Sequence, residues 1–378
     1  MIKELRNARM KYNMLADEIR LLGRTVYGEQ VPVFWTGSGL ETIFEGQDLY
    51  LEYVSHYAVY EDWIRVEMNG ATVIRMPLEK GHHEICLLRH IRPDANCLIR
   101  IVKEIQPMED DPDRFLLFCS LRTEGRLHTP PEHRMKIEFI GDSLTAGQGL
   151  SGPVGYTDWT SLSFSTENHY AFEVGKELDA EIQLLAQGGW GVATAWNNDM
   201  HAVMPRVYNE VCSVAEGPEV RALGGLNAHD FQQWNADYVV INLGTNDANA
   251  FHQPAWTGKD GKQYQMLLDA NGGYTGKSAE QVVEACVHFL GQIREKRPAS
   301  FMLWVYGMCG DEIGSLLREG VERYKMISGD NRAEYFALTP ARADEMGSNE
   351  HPGAKCHLRT GKDIAEEIRR LQKSDDRK

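Results

Sequence analysis

The sequence predicts two domains of different fold class, an all-β sandwich followed by an α/β domain with a parallel sheet. Polar and apolar residues alternate over short runs across residues 35–119, which is a strand period. The linker-like segment LHTPPEHR follows, in which Pro130-Pro131 can continue neither a helix nor a sheet ladder. Beyond it, short apolar strands alternate with helical patterns. We therefore place the domains at residues 1–132 and 133–378 of the 378-residue chain.

The first domain is predicted from side-chain alternation and turn residues. From Ile64 to Met68 apolar and charged residues alternate, and Asn69-Gly70 then favours the positive φ angles of a tight hairpin. The segment NCLIRIVKEI repeats the alternation around Ile99 and Ile101. Several such strands indicate a sandwich of roughly a hundred residues. A short polar helix is predicted ahead of these strands, at the N-terminus.

The second domain is predicted from the order of its elements. Its strands are KIEFI, IQLLAQ, ADYVVINLG and FMLWVYG, and its helices lie in ENHYAFEVGKELDAE, SAEQVVEACVHFLGQIREK and RTGKDIAEEIRRLQK. Strands alternating with helices form a parallel sheet covered on both faces. The Gly-, Asn- and Asp-rich stretch 197–276 gives no clear assignment for most of its elements.

Composition and charge narrow the classes of function. The formal net charge of −15 argues against nucleic acid as a partner, because nucleic-acid binders need clustered Lys and Arg. No run approaches the ~20 apolar residues of a membrane span, and the charged N-terminus does not resemble a signal peptide, so we expect a cytoplasmic protein with no membrane partner. The seven cysteines include no C-x-x-C pair, which fits a reduced compartment and predicts no zinc site.

Three of the predicted strands end in small or amide-bearing residues. Ser143 follows KIEFI, Gly188, Gly189 and Gly191 follow IQLLAQ, and Asn246 follows YVVINL. Loops at the carboxyl ends of parallel strands converge, so we expect these residues to lie close together. Each motif alone has an ordinary explanation as a turn or cap, but their order and common placement favour a site.

These residue types suit acyl transfer through a serine. A serine hydroxyl needs a base to take its proton, and the oxyanion formed on attack needs fixed donors. Candidate donors are the Ser143 N–H, an N–H of the glycine loop and the Asn246 amide, while His351 in SNEHPGAKCH is the candidate base. Asp142 adjoins the serine, and we interpret it as a loop anchor that accepts backbone N–H groups in preference to a catalytic acid.

The motifs also resemble a known family. IGDSLTAGQG, GGWG, GTND and HP, in this order within residues 136–375, resemble the sequence blocks of the SGNH (GDSL) hydrolase superfamily. The resemblance implies a flavodoxin-like three-layer α/β/α domain in which Ser143 is the nucleophile, Gly189 and Asn246 are oxyanion donors and His351 is the base. Gly188 and Gly191 stand close enough to exchange with Gly189.

The rest of the chain resembles one group within that superfamily. FWTGSGLETIFEG and STENHYAFEVGKEL look like family 2 carbohydrate esterases, which implies a jelly-roll domain ahead of the hydrolase domain and removal of acetyl groups from plant polysaccharides or their oligosaccharides. We expect acetylated xylo- or manno-oligosaccharides as substrate, with no cofactor and no metal. The alternatives are a GDSL lipase or thioesterase and an inactive carbohydrate-binding protein. The number of subunits stays open, a homo-oligomer included.

One position departs from the superfamily pattern. An aspartate usually stands three residues before the histidine, and here that position is Ser348. Asp344, Glu345 or Glu350 are alternatives for a displaced acid, or a backbone carbonyl orients the His351 ring. We favour a Ser-His dyad oriented by a carbonyl, as some family 2 carbohydrate esterases are described.

Tryptophans near the motifs are candidates for substrate binding. Trp190 lies within the glycine loop, and a flat ring beside a hydrophilic site suits stacking on the apolar face of a sugar. Trp159 and Trp196 flank the motifs, and for them structural packing is an equally good explanation.

Overall fold

The computed structural model describes residues 9–375 of the chain. The strands are β1 (Met10–Tyr12), β2 (Arg20–Leu22), β3 (Val31–Pro32), β4 (Gly39–Glu45), β5 (Leu49–His56), β6 (Trp63–Met68), β7 (Ala71–Pro77), β8 (Gly81–Leu88), β9 (Asn96–Lys103), β10 (Phe115–Thr123), β11 (Arg126–His128), β12 (Met135–Gly141), β13 (Ala180–Ala186), β14 (Tyr238–Asn242), β15 (Trp256–Thr257), β16 (Gln263–Tyr264), β17 (Phe301–Tyr306) and β18 (Ala333–Ala337). The α-helices are α1 (Ser143–Ala146), α2 (Tyr170–Leu178), α3 (Met204–Val207), α4 (Pro218–Ala222), α5 (Thr245–Ala250), α6 (Gly276–Lys296), α7 (Gly314–Ser328) and α8 (Ala354–Asp375). Within residues 9–375, none of these helices is long and apolar enough to cross a membrane.

The chain divides into two compact units. The first contains the described residues up to Glu132 together with Glu210–Asn227, and the second contains His133–Asn209 and the residues from Ala228 onward. The excursion of Glu210–Asn227 into the first unit was not foreseen from the sequence. Two hydrogen bonds hold this segment there, from Trp35 Nε1 to the Val211 carbonyl at 2.7 Å and from Arg24 to the Glu210 carbonyl at 3.1 Å. Such bonds to backbone carbonyls leave no periodic pattern of polar and apolar residues in the sequence.

The first unit is an antiparallel β-sandwich. One sheet has the order β1-β10-β5-β8 with β3 also paired to β10, and the other has the order β11-β4-β9-β6-β7 with β2 paired to β4. Leu40, Phe44 and Ile99 of the second sheet share one core with Leu51 and Phe118 of the first. The jelly-roll sandwich expected ahead of the hydrolase domain is confirmed.

The hairpin predicted at Asn69-Gly70 joins β6 to β7. These two residues have φ angles of 52° and 81°, the left-handed values that a tight hairpin turn requires. The Asn69 side chain also accepts the Leu98 N–H at 2.8 Å, which ties the turn to β9.

The predicted N-terminal helix is not seen in the described residues. Residues 1–8 lie outside them, and the following stretch contains β1 and β2. The β1 backbone pairs with β10 and the β2 backbone pairs with β4, while Met14 enters the sandwich core. Pairing with distant strands therefore overrides the local helical preference of this charged segment.

The second unit is a three-layer α/β/α domain, as predicted. Its parallel strands have the order β13-β12-β14-β17-β18, which is the flavodoxin-like order 2-1-3-4-5. Ile137 and Phe139 of β12 share a core with Val174 of α2 and Ile364 of α8. Glu138, which alternates with them and so faces the other way, pairs with Arg297 at the end of α6. Helices thus cover both faces of the sheet. Neither α7 nor β18 was predicted from the sequence.

The register of the sheet brings three strand ends to one level. Gly141 at the end of β12 lies beside Ala186 of β13 and Asn242 of β14. The order of the strands reverses at β12, and in open α/β sheets such a switch point is where ligands bind. The loops that follow these three strands contain the motifs singled out from the sequence.

Candidate active site

Ser143 begins a one-turn helix immediately after β12. Asp142 caps this helix by accepting the Leu144 N–H at 3.0 Å, and Gly147 ends it in the left-handed conformation at φ 82°. Burial raises the pKa of Asp142 to about 7, with the charge of Asp247 adding to the effect and the Leu144 N–H opposing it. Asp142 thus accepts a backbone N–H of its own turn, as expected of a loop anchor, and it makes no hydrogen bond with His351.

His351 lies within hydrogen-bond distance of Ser143. Its Nε2 is 2.8 Å from Ser143 Oγ, and its Nδ1 is 2.5 Å from the Asn349 carbonyl oxygen. Because a carbonyl can only accept, Nδ1 carries the hydrogen and Nε2 is left to accept the serine proton. Burial lowers the pKa of His351, opposed by the Asn349 carbonyl and the charge of Glu350, which favours the neutral form of the ring.

An unusual turn aims the Asn349 carbonyl at the ring. Asn349 and Glu350 both have left-handed φ angles, 50° and 58°. The Asn349 N–H donates to the Tyr156 carbonyl at 2.6 Å, and its side-chain amide donates to the Asp158 carbonyl at 2.8 Å. These bonds hold the turn, and a backbone carbonyl occupies the place of a triad acid. No side-chain pattern in the sequence could have identified this group.

None of the carboxylates considered as displaced acids hydrogen-bonds the His351 ring. Asp344 is exposed and pairs with Lys355 at 3.3 Å, and Glu345 pairs with Arg359 at 2.7 Å. Glu350 is exposed and makes no hydrogen bond with the His351 ring. Ser348, at the usual acid position, donates to the Ser151 carbonyl at 2.6 Å. His351 Nδ1 thus bonds the Asn349 carbonyl and none of these side chains, and the Ser-His dyad stays a prediction.

Candidate oxyanion donors follow all three strands. Within residues 9–375 the N–H groups of Ser143 and Gly189 make no hydrogen bond. Asn246, in the first turn of α5, is buried and donates through Nδ2 to the Trp190 carbonyl at 2.9 Å. Its second amide hydrogen has only a long contact of 3.4 Å with Asp142 Oδ2. N–H groups that can still donate a hydrogen bond therefore lie at this edge of the sheet.

Asp247 holds the glycine loop in place. Its buried carboxylate accepts the N–H groups of three consecutive residues at 2.7–3.0 Å, Val192, Ala193 and Thr194. A Cβ on Gly191 would lie 2.4 Å from Asp247 Oδ2, so this loop passes the carboxylate without room for a side chain. A local turn or cap is the ordinary explanation of GTND, whereas these partners of Asp247 lie on another loop. In the described part of the chain, no group of three or more His, Cys, Asp or Glu residues could hold a metal ion.

The three tryptophans differ in exposure. The Trp190 side chain is 3% exposed, with the Arg206 guanidinium 5.1 Å from its ring centre, so it offers no surface for stacking. Trp159 packs edge-on against Phe164. Trp196 is 48% exposed, and its Cδ1 lies 3.1 Å from the position of a Cβ on Gly189. The exposed ring beside the candidate oxyanion loop is thus Trp196 and not Trp190.

Comparison with known proteins gives a family and a close structural relative. The family model described as GDSL-like Lipase/Acylhydrolase matches residues 137–363. An acetyl xylan esterase structure from the rumen bacterium Butyrivibrio proteoclasticus is 34% identical to this chain, with a TM-score of 0.94 over 96% of this chain and 98% of that one.

Two further relatives are more distant. An acetylxylan esterase/glucomannan deacetylase of Cellvibrio japonicus is 26% identical over 227 residues, 56% of this chain and 55% of that protein, so the chain spans about half the length of this relative. A family two carbohydrate esterase from Clostridium thermocellum, solved in complex with cellohexaose, is 20% identical and has a TM-score of 0.76 over 94% of this chain and 99% of that one. This last similarity shows a shared fold.

Proposed function

We propose that this chain, which belongs to the GDSL-like lipase/acylhydrolase family, is a serine esterase that removes O-acetyl groups from plant-derived oligosaccharides. The observation that carries the proposal is the 2.8 Å contact between Ser143 Oγ and His351 Nε2, on a ring whose Nδ1 is held by the Asn349 carbonyl. A serine hydroxyl becomes a useful nucleophile only when such a base can take its proton.

The reaction proceeds in two halves. His351 Nε2 takes the proton of Ser143 as Oγ attacks the acetyl carbonyl carbon, and the imidazolium then gives this proton to the departing sugar hydroxyl. Water, deprotonated by the same ring, attacks the acetyl-serine, and cleavage of the ester bond frees acetate and restores Ser143. His351 is thus base in the attack and acid in the departure of each half.

The oxyanion of each tetrahedral intermediate is stabilised by donors that are already in place. We assign this role to the N–H groups of Ser143 and Gly189 and the amide of Asn246, which come from the loops after β12, β13 and β14. The Asn349 carbonyl fixes the His351 tautomer without supplying a full negative charge, so stabilisation of the transition state depends strongly on these donors.

The substrate class is supported by the relatives and by the surface of the site. Acetyl xylan esterase and glucomannan deacetylase are the activities in the relatives' names. The half-exposed Trp196 ring beside Gly189 is suited to stacking on the apolar face of a sugar. We therefore propose acetylated xylo- or manno-oligosaccharides as the substrates.

The proposal is tested by comparing acyl chain length and leaving group. Initial rates are measured on p-nitrophenyl acetate, p-nitrophenyl octanoate and acetylated xylo-oligosaccharides, and Ser143 is titrated with a serine-directed organophosphonate. We expect stoichiometric labelling, a strong preference for acetate over octanoate, and release of acetate from the oligosaccharides. Equal rates on both nitrophenyl esters without oligosaccharide deacetylation would favour a lipase or thioesterase. Failure of Ser143 to label would favour an inactive binding protein.

A further inference from the structure

The turn that presents Ser143 is too short to hold its own position. We call the four residues of α1, Ser143–Ala146, the nucleophile turn. A helix of a single turn leaves carbonyl groups without partners inside the helix, and these need hydrogen-bond donors from elsewhere. The Ser143 carbonyl accepts the N–H groups of Gly147 and Gln148. The Leu144 carbonyl is the next one along the turn, and it also needs a donor.

His169 supplies the donor for the Leu144 carbonyl. It is fully buried at the N-cap of α2, where its Nδ1 accepts the Ala171 N–H at 3.1 Å and its Nε2 lies 3.2 Å from the Leu144 carbonyl oxygen. An N–H can only donate and a carbonyl can only accept, so these contacts specify a neutral ring with its hydrogen on Nε2. One side chain thus caps a helix with one nitrogen and holds the nucleophile turn with the other.

The next residue strengthens the same attachment. The Tyr170 hydroxyl lies 2.7 Å from Thr145 Oγ1, and the Tyr170 and His169 rings stack with centroids 4.8 Å apart. His169, the N-cap of α2, and Tyr170, its first residue, therefore bind Leu144 and Thr145, the two residues that follow Ser143. Tyr170 itself packs in the core with Phe139 of β12, so this attachment is anchored in the core of the domain.

We propose that His169 is a positioning residue for Ser143, holding the Leu144 carbonyl so that Ser143 Oγ stays within reach of His351 Nε2. This inference rests on the proposed function. The serine-to-histidine contact is 2.8 Å, and a displacement of the turn by about 1 Å is enough to break such a hydrogen bond and to lower turnover on the order of 100-fold.

Two substitutions of His169 distinguish the roles of its two ring nitrogens. His169→Asn keeps an acceptor at the N-cap, where Asn is among the preferred residues, but it is too short to reach Leu144. His169→Gln keeps a donor near the position of Nε2 but is a poor cap. If positioning is the role, His169→Asn lowers kcat and the rate of Ser143 phosphonylation by about 10-fold or more, while KM for p-nitrophenyl acetate stays within about twofold. His169→Gln retains most of both rates despite a lower Tm.

A merely structural role gives the opposite order. The activities would then follow Tm, and His169→Asn would be at least as active as His169→Gln, which would overturn the inference. Wild-type protein that neither hydrolyses p-nitrophenyl acetate nor labels at Ser143 would overturn the proposed function, whereas an active wild type with the reversed order overturns only the role of His169.

Tyr170→Phe keeps the test decisive if the buried histidine variants do not fold. This variant preserves the stacked ring and deletes the hydroxyl that bonds Thr145 and also Asn242. We expect a folded protein whose Ser143 labels about threefold to tenfold more slowly. Wild-type labelling rates in this variant together with unfolded His169 variants would also contradict the inference.

Discussion

Gly149 offers the sharpest perturbation of the proposed base, because it lies directly against His351. It has a left-handed φ of 86°, and a Cβ added to it would lie 2.4 Å from His351 Cβ and 2.8 Å from the Ser348 carbonyl oxygen. We therefore expect Gly149→Ala to push the His351 loop away from Ser143 without altering the side chain of either residue.

The magnitude follows from these distances. Carbon atoms in contact are about 3.5–4.0 Å apart, so the 2.4 Å approach requires His351 to move by about 1 Å. Such a misplacement lowers kcat by about 100-fold. The left-handed backbone costs a non-glycine residue an additional ~1–2 kcal/mol of unfolding free energy. Gly155 is a matched control, since its φ is 80° and an added Cβ meets nothing within 4 Å.

The assay compares Gly149→Ala and Gly155→Ala with wild type by kcat on p-nitrophenyl acetate, by the rate of Ser143 phosphonylation and by Tm. Both variants should lose a similar amount of stability to backbone strain, and only Gly149→Ala should also lose about 100-fold in kcat. Wild-type kcat in folded Gly149→Ala, or an equal loss of kcat in Gly155→Ala, would show that the position of His351 does not control turnover.

Two further predictions concern the oxyanion donor and the pH dependence. Asn246→Ala should lower kcat on the order of 100-fold, measured on p-nitrophenyl acetate, and a loss smaller than threefold would remove it from the oxyanion site. Burial lowers the pKa of His351 below its usual 6.5. Because a protonated ring cannot act as the base, kcat/KM should fall only at pH values below 6.5. The charge of Glu350 raises this pKa, so Glu350→Gln should move the acid limb of the pH profile to lower pH, and an opposite movement would contradict the assignment.

The residues of the candidate site could be located from sequence because of how parallel sheets are built. Ser143, Gly189 and Asn246 each follow an apolar strand, and the register places those strand ends side by side. The hairpin at Asn69-Gly70 was equally accessible, because its backbone angles are a local property of those two residue types.

Other features depend on contacts that the sequence does not display. The group that orients His351 is the backbone carbonyl of Asn349, which any residue possesses, and its direction comes from two left-handed residues in succession. Trp190 and Trp196 are alike in sequence, and only tertiary packing makes the first of them buried and leaves the second half exposed. The strand β1 forms because distant β10 offers it hydrogen bonds.

A direct test of the Ser-His dyad is acetate release from acetylated xylo-oligosaccharides, measured for wild type, Ser143→Ala, His351→Ala and Asp344→Asn. We predict release by wild type and Asp344→Asn at similar rates and no measurable release by the other two. Loss of release in Asp344→Asn, retained release in Ser143→Ala or His351→Ala, or none from wild type would contradict a Ser-His dyad oriented by a backbone carbonyl.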